Sequence, residues 1–221
     1  MPEARLAGPR PAVDLRRELR ELYSAGPQPR VVAVPELPFL MIDGAGDPTT
    51  SPGYAQAVQA LYTTAYGVRF ALKRRPDGVD ARVMPLEGLW WVPDMLLFTE
   101  SDKDAWLWTL LILLPEQAGA ELVAEVRAAA MVEKPELPLD RVRLERFAEG
   151  PCAQVLHRGP YADEGPTVQR LHTHIAEQGY RLRGKHHEIY LGDPRRSAPE
   201  KLRTILRQPV APAEMEPAAQ R

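Results

Sequence analysis

Apolar residues recur along the chain in two alternating periods, and each switch between them marks an element. Leu15, Leu19, Leu22 and Tyr23 fall at helical spacing, so residues 14–24 predict a short amphipathic helix. The run RVVAVPELPFLMIDGAG (30–46) is rich in β-branched and aromatic positions and predicts a strand region interrupted by Pro35 and Pro38. Ser51 before Pro52 is a helix start, with serine as N-cap and proline at the first helical position. Tyr54, Val58, Leu61, Tyr62 and Ala65 form one face of that helix, and Gly67 is its expected end. Val68–Lys73 and Val79–Trp91 then predict strands around the turn RRPDG. Asp104–Leu114 predicts a further strand, and Leu122, Val126, Ala129 and Ala130 mark a second helix.

The pattern then restarts. PCAQVLHRGPY (151–161) predicts a strand and turn, and Gly165-Pro166 opens a helix with Val168, Leu171 and Ile175 on one face and Gly179 at its end. YRLRGKHHEIYLGD (180–193) supplies strand with a kink at Gly184. Ser197-Ala-Pro-Glu200 matches a capping box and predicts a helix carrying Leu202, Ile205 and Leu206. From Pro209 onward the chain is rich in proline and alanine, so a flexible tail is expected over 211–221. Strand, helix and two strands ending at Trp91 mirror strand, helix and two strands ending at Leu191. The repeat is one of element order, not of residue identity. It predicts a single α+β domain over 1–210, built of two pseudo-symmetric β-α-β-β halves, about 1–145 and 146–210, with a ligand groove between them.

Composition narrows the function. A net charge of -2 gives no electrostatic footprint for nucleic acid or an anionic membrane, and the arginines near both ends are interleaved with acidic residues. One cysteine, Cys152, rules out an intrachain disulfide framework and points to a cytoplasmic protein. No apolar run reaches membrane-spanning length. His172 and His174 are two apart on a helix, and His186 and His187 point to opposite strand faces, so neither pair chelates. No metal or other cofactor is expected. There is no Gly-x-Ser-x-Gly elbow and no phosphate loop.

The chemistry gathers at HHEIYLGDPRR (186–196). Strand alternation sends His186, Glu188 and Tyr190 to one side and His187, Ile189 and Leu191 to the other. A carboxylate inside such a run is either a surface cross-strand partner or the wall of a pocket. Trp90 and Trp91 are adjacent and face oppositely, so only one of them lines a given face, whereas Trp106 and Trp108 share one. Paired tryptophans serve equally as core or as an aromatic cage.

VLHRGPY (155–161), AEQGY (176–180) and HHEIYLGDP (186–194) resemble the signature of GyrI-like small-molecule-binding domains. IDGAGDP (42–48), LEGLWW (86–91), the Trp106/Trp108 strand and the block HHEIYLGDPRRSAPEKLRTILRQPV are similar to one stand-alone subfamily, over roughly residues 30–210. The resemblance implies a duplicated β-α-β-β (SHS2-type) module around a groove. It implies a flat hydrophobic or aromatic small molecule as partner, a monomer or homodimer, and a hydrolase that opens the cyclopropane of cyclopropanoid DNA-alkylating compounds. Carried onto this chain, Glu188 and Tyr190 would be catalytic, and Trp91, Trp106, Trp108, Tyr161, His186 and Phe39 would contact the ligand. A carboxylate walled by aromatics resists ionisation, as a general base near neutral pH needs. WLWTLLILLPE (106–116) lacks the polar residues of relatives, which makes the pocket rim more apolar. A non-catalytic binder of hydrophobic or cationic compounds, or a gyrase-inhibitor-like protein, is the alternative.

Overall fold

The computed structural model describes residues 12–76, 78–95, 102–193 and 196–213. Its helices are α1 (Leu15–Glu18), α2 (Arg20–Tyr23), α3 (Pro52–Arg74), α4 (Ala120–Glu133) and α5 (Gly165–Glu177). The strands are β1 (Ala12–Val13), β2 (Arg30–Val34), β3 (Leu37–Ala45), β4 (Asp80–Ala81), β5 (Glu87–Trp91) and β6 (Leu107–Leu113). They continue with β7 (Arg143–Phe147), β8 (Gly150–Arg158), β9 (Tyr180–Leu182), β10 (His186–Tyr190) and β11 (Arg203–Pro212). The fold is α+β, and the order β-α-β-β occurs twice, as β3-α3-β4-β5 ending at Trp91 and as β8-α5-β9-β10 ending at Tyr190, each followed by one further strand.

The described chain divides into two units that are not simple halves. The first takes residues 12–20, 37–85 and 102–146, and the second takes 21–36, 86–95 and the chain from 147 onward. The one helix anticipated over 14–24 is broken at Leu19, and the chain crosses between units just after Arg20.

In the first unit β3 pairs antiparallel with β6, from Phe39 opposite Leu113 to Ala45 opposite Leu107, and β7 continues the sheet on the other side of β3. β6 is buried from Trp108 to Leu113 and β3 from Pro38 to Ile42, so these stretches carry continuous apolar runs rather than an alternation. Residues 68–73, anticipated as a strand, are instead the last turns of α3. Val68 and Leu72 extend the buried stripe of Leu61 and Ala65 at three- and four-residue steps, and Gly67 sits inside the helix. A Cβ at Gly67 would stand 2.4 Å from Val126 Cγ1, so the glycine admits α4 rather than ending α3. The single strand anticipated over 79–91 is two, β4 and β5. Pro85 lies between them, and proline has no N–H for a ladder.

In the second unit the order is β2-β8-β11-β10-β5, antiparallel throughout, with β9 on the far end of β11. Helix α5 covers one face, where Leu171 and Ile175 pack on Ala153, Val155, Leu206 and Val210. The helix anticipated from Ser197 is only a 3-10 turn, Pro199–Lys201, after which the chain becomes β11. Strand pairing on both sides, to β8 and β10, outweighs the local capping signal. The same strand takes up Ala211 and Pro212 of the expected flexible tail, which lie opposite Arg181 and Tyr180. Residues 214–221 lie outside the described chain.

Candidate functional site

Strand β10 is interior to the second unit's sheet, so its side chains are presented by a backbone held on both edges. Glu188 lies opposite Gly88 of β5 and Leu206 of β11, and His186 lies opposite Trp90. Directly opposed residues share a face. His186, Glu188, Tyr190, Gly88 and Trp90 therefore emerge on one side. The Trp90 indole N–H donates to the Tyr190 hydroxyl at 3.1 Å, and the Tyr190 O–H donates to Glu188 Oε2 at 2.8 Å. His186 Nε2 stands 3.6 Å from Glu188 Oε1, and the Glu188 side chain is 13% exposed. Tyr161, in the 3-10 turn before α5, sets its ring edge-on to Tyr190 with centroids 5.5 Å apart and is itself 38% exposed.

Gly88 makes room for this arrangement, since a Cβ there would meet Trp90 Nε1 at 2.7 Å. Trp91, which the resemblance placed beside the ligand, projects to the opposite face. Lys185 Nζ stands 3.3 Å from its ring centroid there, a close cation–π contact. Of the adjacent tryptophans it is Trp90 that shares the Glu188 face.

The reverse face holds a charged cluster. His187 sets Nδ1 2.9 Å from Glu149 Oε2 and Nε2 3.0 Å from Glu87 Oε2. Tyr23 donates to Glu87 Oε1 at 2.6 Å, and Arg207 pairs with Glu149 at 3.2 Å while donating to Gln154 and to the Leu22 carbonyl. Burial works against a charge on His187, but Glu149 and Glu87 outweigh it and raise the imidazole to about 9. Burial likewise opposes the Glu149 carboxylate, and His187 and Arg207 overcome it, lowering that group to about 2. Burial and Glu87 push the Tyr23 phenol well up, and burial does the same to the Cys152 thiol, which is unsuited to act as a nucleophile. None of the cluster was legible beforehand. Glu87 and Glu149 are ordinary glutamates in the sequence, and only strand register makes them partners.

The first unit holds the remaining residues singled out in the sequence. Trp108 is 2% exposed, edge-on to Tyr54 at 5.3 Å, with its indole N–H on the Gly46 carbonyl at 3.3 Å. Phe39 is buried opposite Leu113, and Trp106 is half-buried with Lys103 Nζ 5.5 Å from its ring. Among the described residues no group of three His, Cys, Asp or Glu side chains converges as metal ligands do.

Residues 27–211 match the family described as the GyrI-like small molecule binding domain. Two crystal structures from Listeria innocua are similar over 90% of this chain and all of theirs. One is an uncharacterized conserved protein (41% identity, TM-score 0.83) and the other a hydrolase (40%, 0.80). The C-terminal domain of EcmrR shares the fold alone, at 11% identity and a TM-score of 0.53 over 84% of this chain and 98% of that domain. Comparison with curated proteins gives no match.

Proposed function

The chain belongs to the GyrI-like small-molecule-binding family, and from that premise we propose that it binds flat aromatic electrophiles and hydrolyses the strained ring of cyclopropanoid alkylating compounds. The observation that carries this reading is the ordered line from Trp90 through Tyr190 to Glu188. It aims two donors in series at one oxygen of a half-buried carboxylate, on a face with a half-exposed aromatic, Tyr161, at its edge. A pure binder of flat ligands needs apolar and aromatic walls; a carboxylate held by its own hydrogen-bond line is what water activation adds. The Listeria innocua relative named a hydrolase supports the catalytic side.

In a spiro-cyclopropane fused to a dienone, water attacks the methylene carbon. A C–O bond forms, a cyclopropane C–C bond breaks, and its electron pair flows to the dienone oxygen. That oxygen becomes a phenolate and takes a proton from solvent. Glu188 removes the proton from the attacking water and releases it afterwards. Tyr190, with its O–H spent on Oε2, fixes the rotamer of the base. Tyr161, 38% exposed, supplies π surface against which the planar ring system lies, while Trp90, 2% exposed, anchors the hydrogen-bond line from inside, and such stacking tolerates many flat ligands.

The test is incubation with a spirocyclopropyl cyclohexadienone and chromatographic detection of the ring-opened alcohol. Glu188→Gln keeps the shape and removes the base, so turnover falls by about two to four orders of magnitude with little change in affinity. Tight binding of unchanged probe by the native protein would make it a sequestering binder. Wild-type turnover by E188Q would remove Glu188 from the mechanism.

A further inference from the structure

The two oxygens of Glu188 are not equivalent. Oε2 accepts the Tyr190 hydroxyl at 2.8 Å, and that hydroxyl is held in turn by Trp90. Oε1 is the oxygen left to take a proton. Facing it is His186 Nε2, at 3.6 Å. That separation is too long for a direct hydrogen bond and lies within the span that one water bridges with two ordinary ones. His186 is 4% exposed, on the interior strand β10 and opposite Trp90, so its ring has a set place. On α5, His172 has its Nε2 buried without a hydrogen-bond partner among the described residues. Burial first, and then the electrostatic influence of His186, favour the neutral form of His172.

We propose that His186 positions the nucleophile: the attacking water donates one hydrogen bond to Glu188 Oε1 and the other to His186 Nε2, in the tautomer protonated at Nδ1. Both hydrogens are then engaged on the protein side, and the lone pairs of the water point away from it toward the methylene carbon. On attack the hydrogen that the water donates to Oε1 transfers to that oxygen, the C–O bond forms and the ring C–C bond breaks with its electron pair flowing to the dienone oxygen. The hydrogen held by His186 stays on the product alcohol. The assignment rests on the general-base reading of Glu188, and it gives the tyrosine and the histidine separate tasks: Tyr190 orients the base, His186 orients the water.

The experiment compares His186→Phe, which keeps a flat ring and loses Nε2, with His186→Gln, whose longer amide offers a replacement polar contact. Both are assayed beside E188Q on the spirocyclopropyl dienone, with affinity read from tryptophan fluorescence and folding from thermal melting. Loss of the water contact lowers kcat of H186F by about ten- to a hundredfold with KM unchanged, and H186Q recovers part of it. Should H186F fail to fold, H186N is read in the same way, since its amide stops short of the water. Collapse of E188Q with wild-type kcat in H186F overturns the water contact and leaves the base standing, as does a rise in KM alone. Wild-type turnover by E188Q removes the base and this assignment with it.

Discussion

Glu188 and Tyr190 are two residues apart on one strand, and the structure joins them by a hydrogen bond at 2.8 Å. Tyr190→Phe keeps the ring against Tyr161 and frees Oε2, so the carboxylate samples more rotamers. Turnover of the cyclopropyl probe is expected to fall about tenfold with affinity nearly unchanged, as measured by steady-state kinetics. Trp108 is a different case. Its indole fills space between Tyr54 and the backbone of Gly44, where a Cβ would stand 2.0 Å from the ring. Trp108→Ala is expected to cost about 3–5 kcal/mol of stability, visible as a lowered denaturant midpoint. A spacing of two could say that Trp106 and Trp108 share a face. It could not say that Trp108 would be buried and Trp106 left half-buried.

At the scale of elements, strand β5 matters as much as β10. Its LEGLWW sequence offers two tryptophans, and the register with β10 decides which of them meets Glu188: His186 opposite Trp90 puts Trp90 on that face and Trp91 under Lys185. Gly88 leaves the gap into which the Trp90 indole lies. Gly88→Ala forces that indole off the Tyr190 hydroxyl, and the expected result is reduced turnover with a fold still cooperative in circular dichroism melting. The apolar periods located α3, α4 and α5 well, because each buries one stripe. They failed at the end of α3 and at β11. Val68–Lys73 is β-branched and aromatic enough to imitate a strand, and Ser197–Glu200 imitates a helix start, until neighbouring elements impose the other choice.

For the whole molecule, the buried cluster behind β10 sets a pH dependence of stability. His187 is raised in the folded state from 6.5 to about 9. Its contribution is complete below the unfolded value and is lost as pH rises through about 9. Glu149 is lowered from 4.5 to about 2, so its contribution is complete above 4.5 and is lost as pH falls toward 2. Both reflect largely one pairing and are not additive. Denaturant midpoints measured across pH are expected to plateau between about 4.5 and 6.5 and to decline from there toward 9. His187→Gln should flatten the alkaline limb, and an unaltered limb in that variant would move its origin elsewhere. Among the described residues no helix is long and apolar enough to cross a membrane.

By itself the sequence determined the α+β class, the doubled β-α-β-β order, and the sharing of one strand face by His186, Glu188 and Tyr190. These follow from local period and alternation, which neighbouring residues carry between them. The block from His186 to Val210 also carried the family, because its residues occur together in one uninterrupted stretch. Tertiary structure alone decided that Trp90 rather than Trp91 stands beside Glu188, and that the Tyr190 hydroxyl donates its hydrogen bond to Oε2. It also decided that Glu87, Glu149, His187 and Arg207 form one buried cluster. Each of these depends on registers between strands far apart in the chain, where a shift of one residue would turn every side chain to the other face.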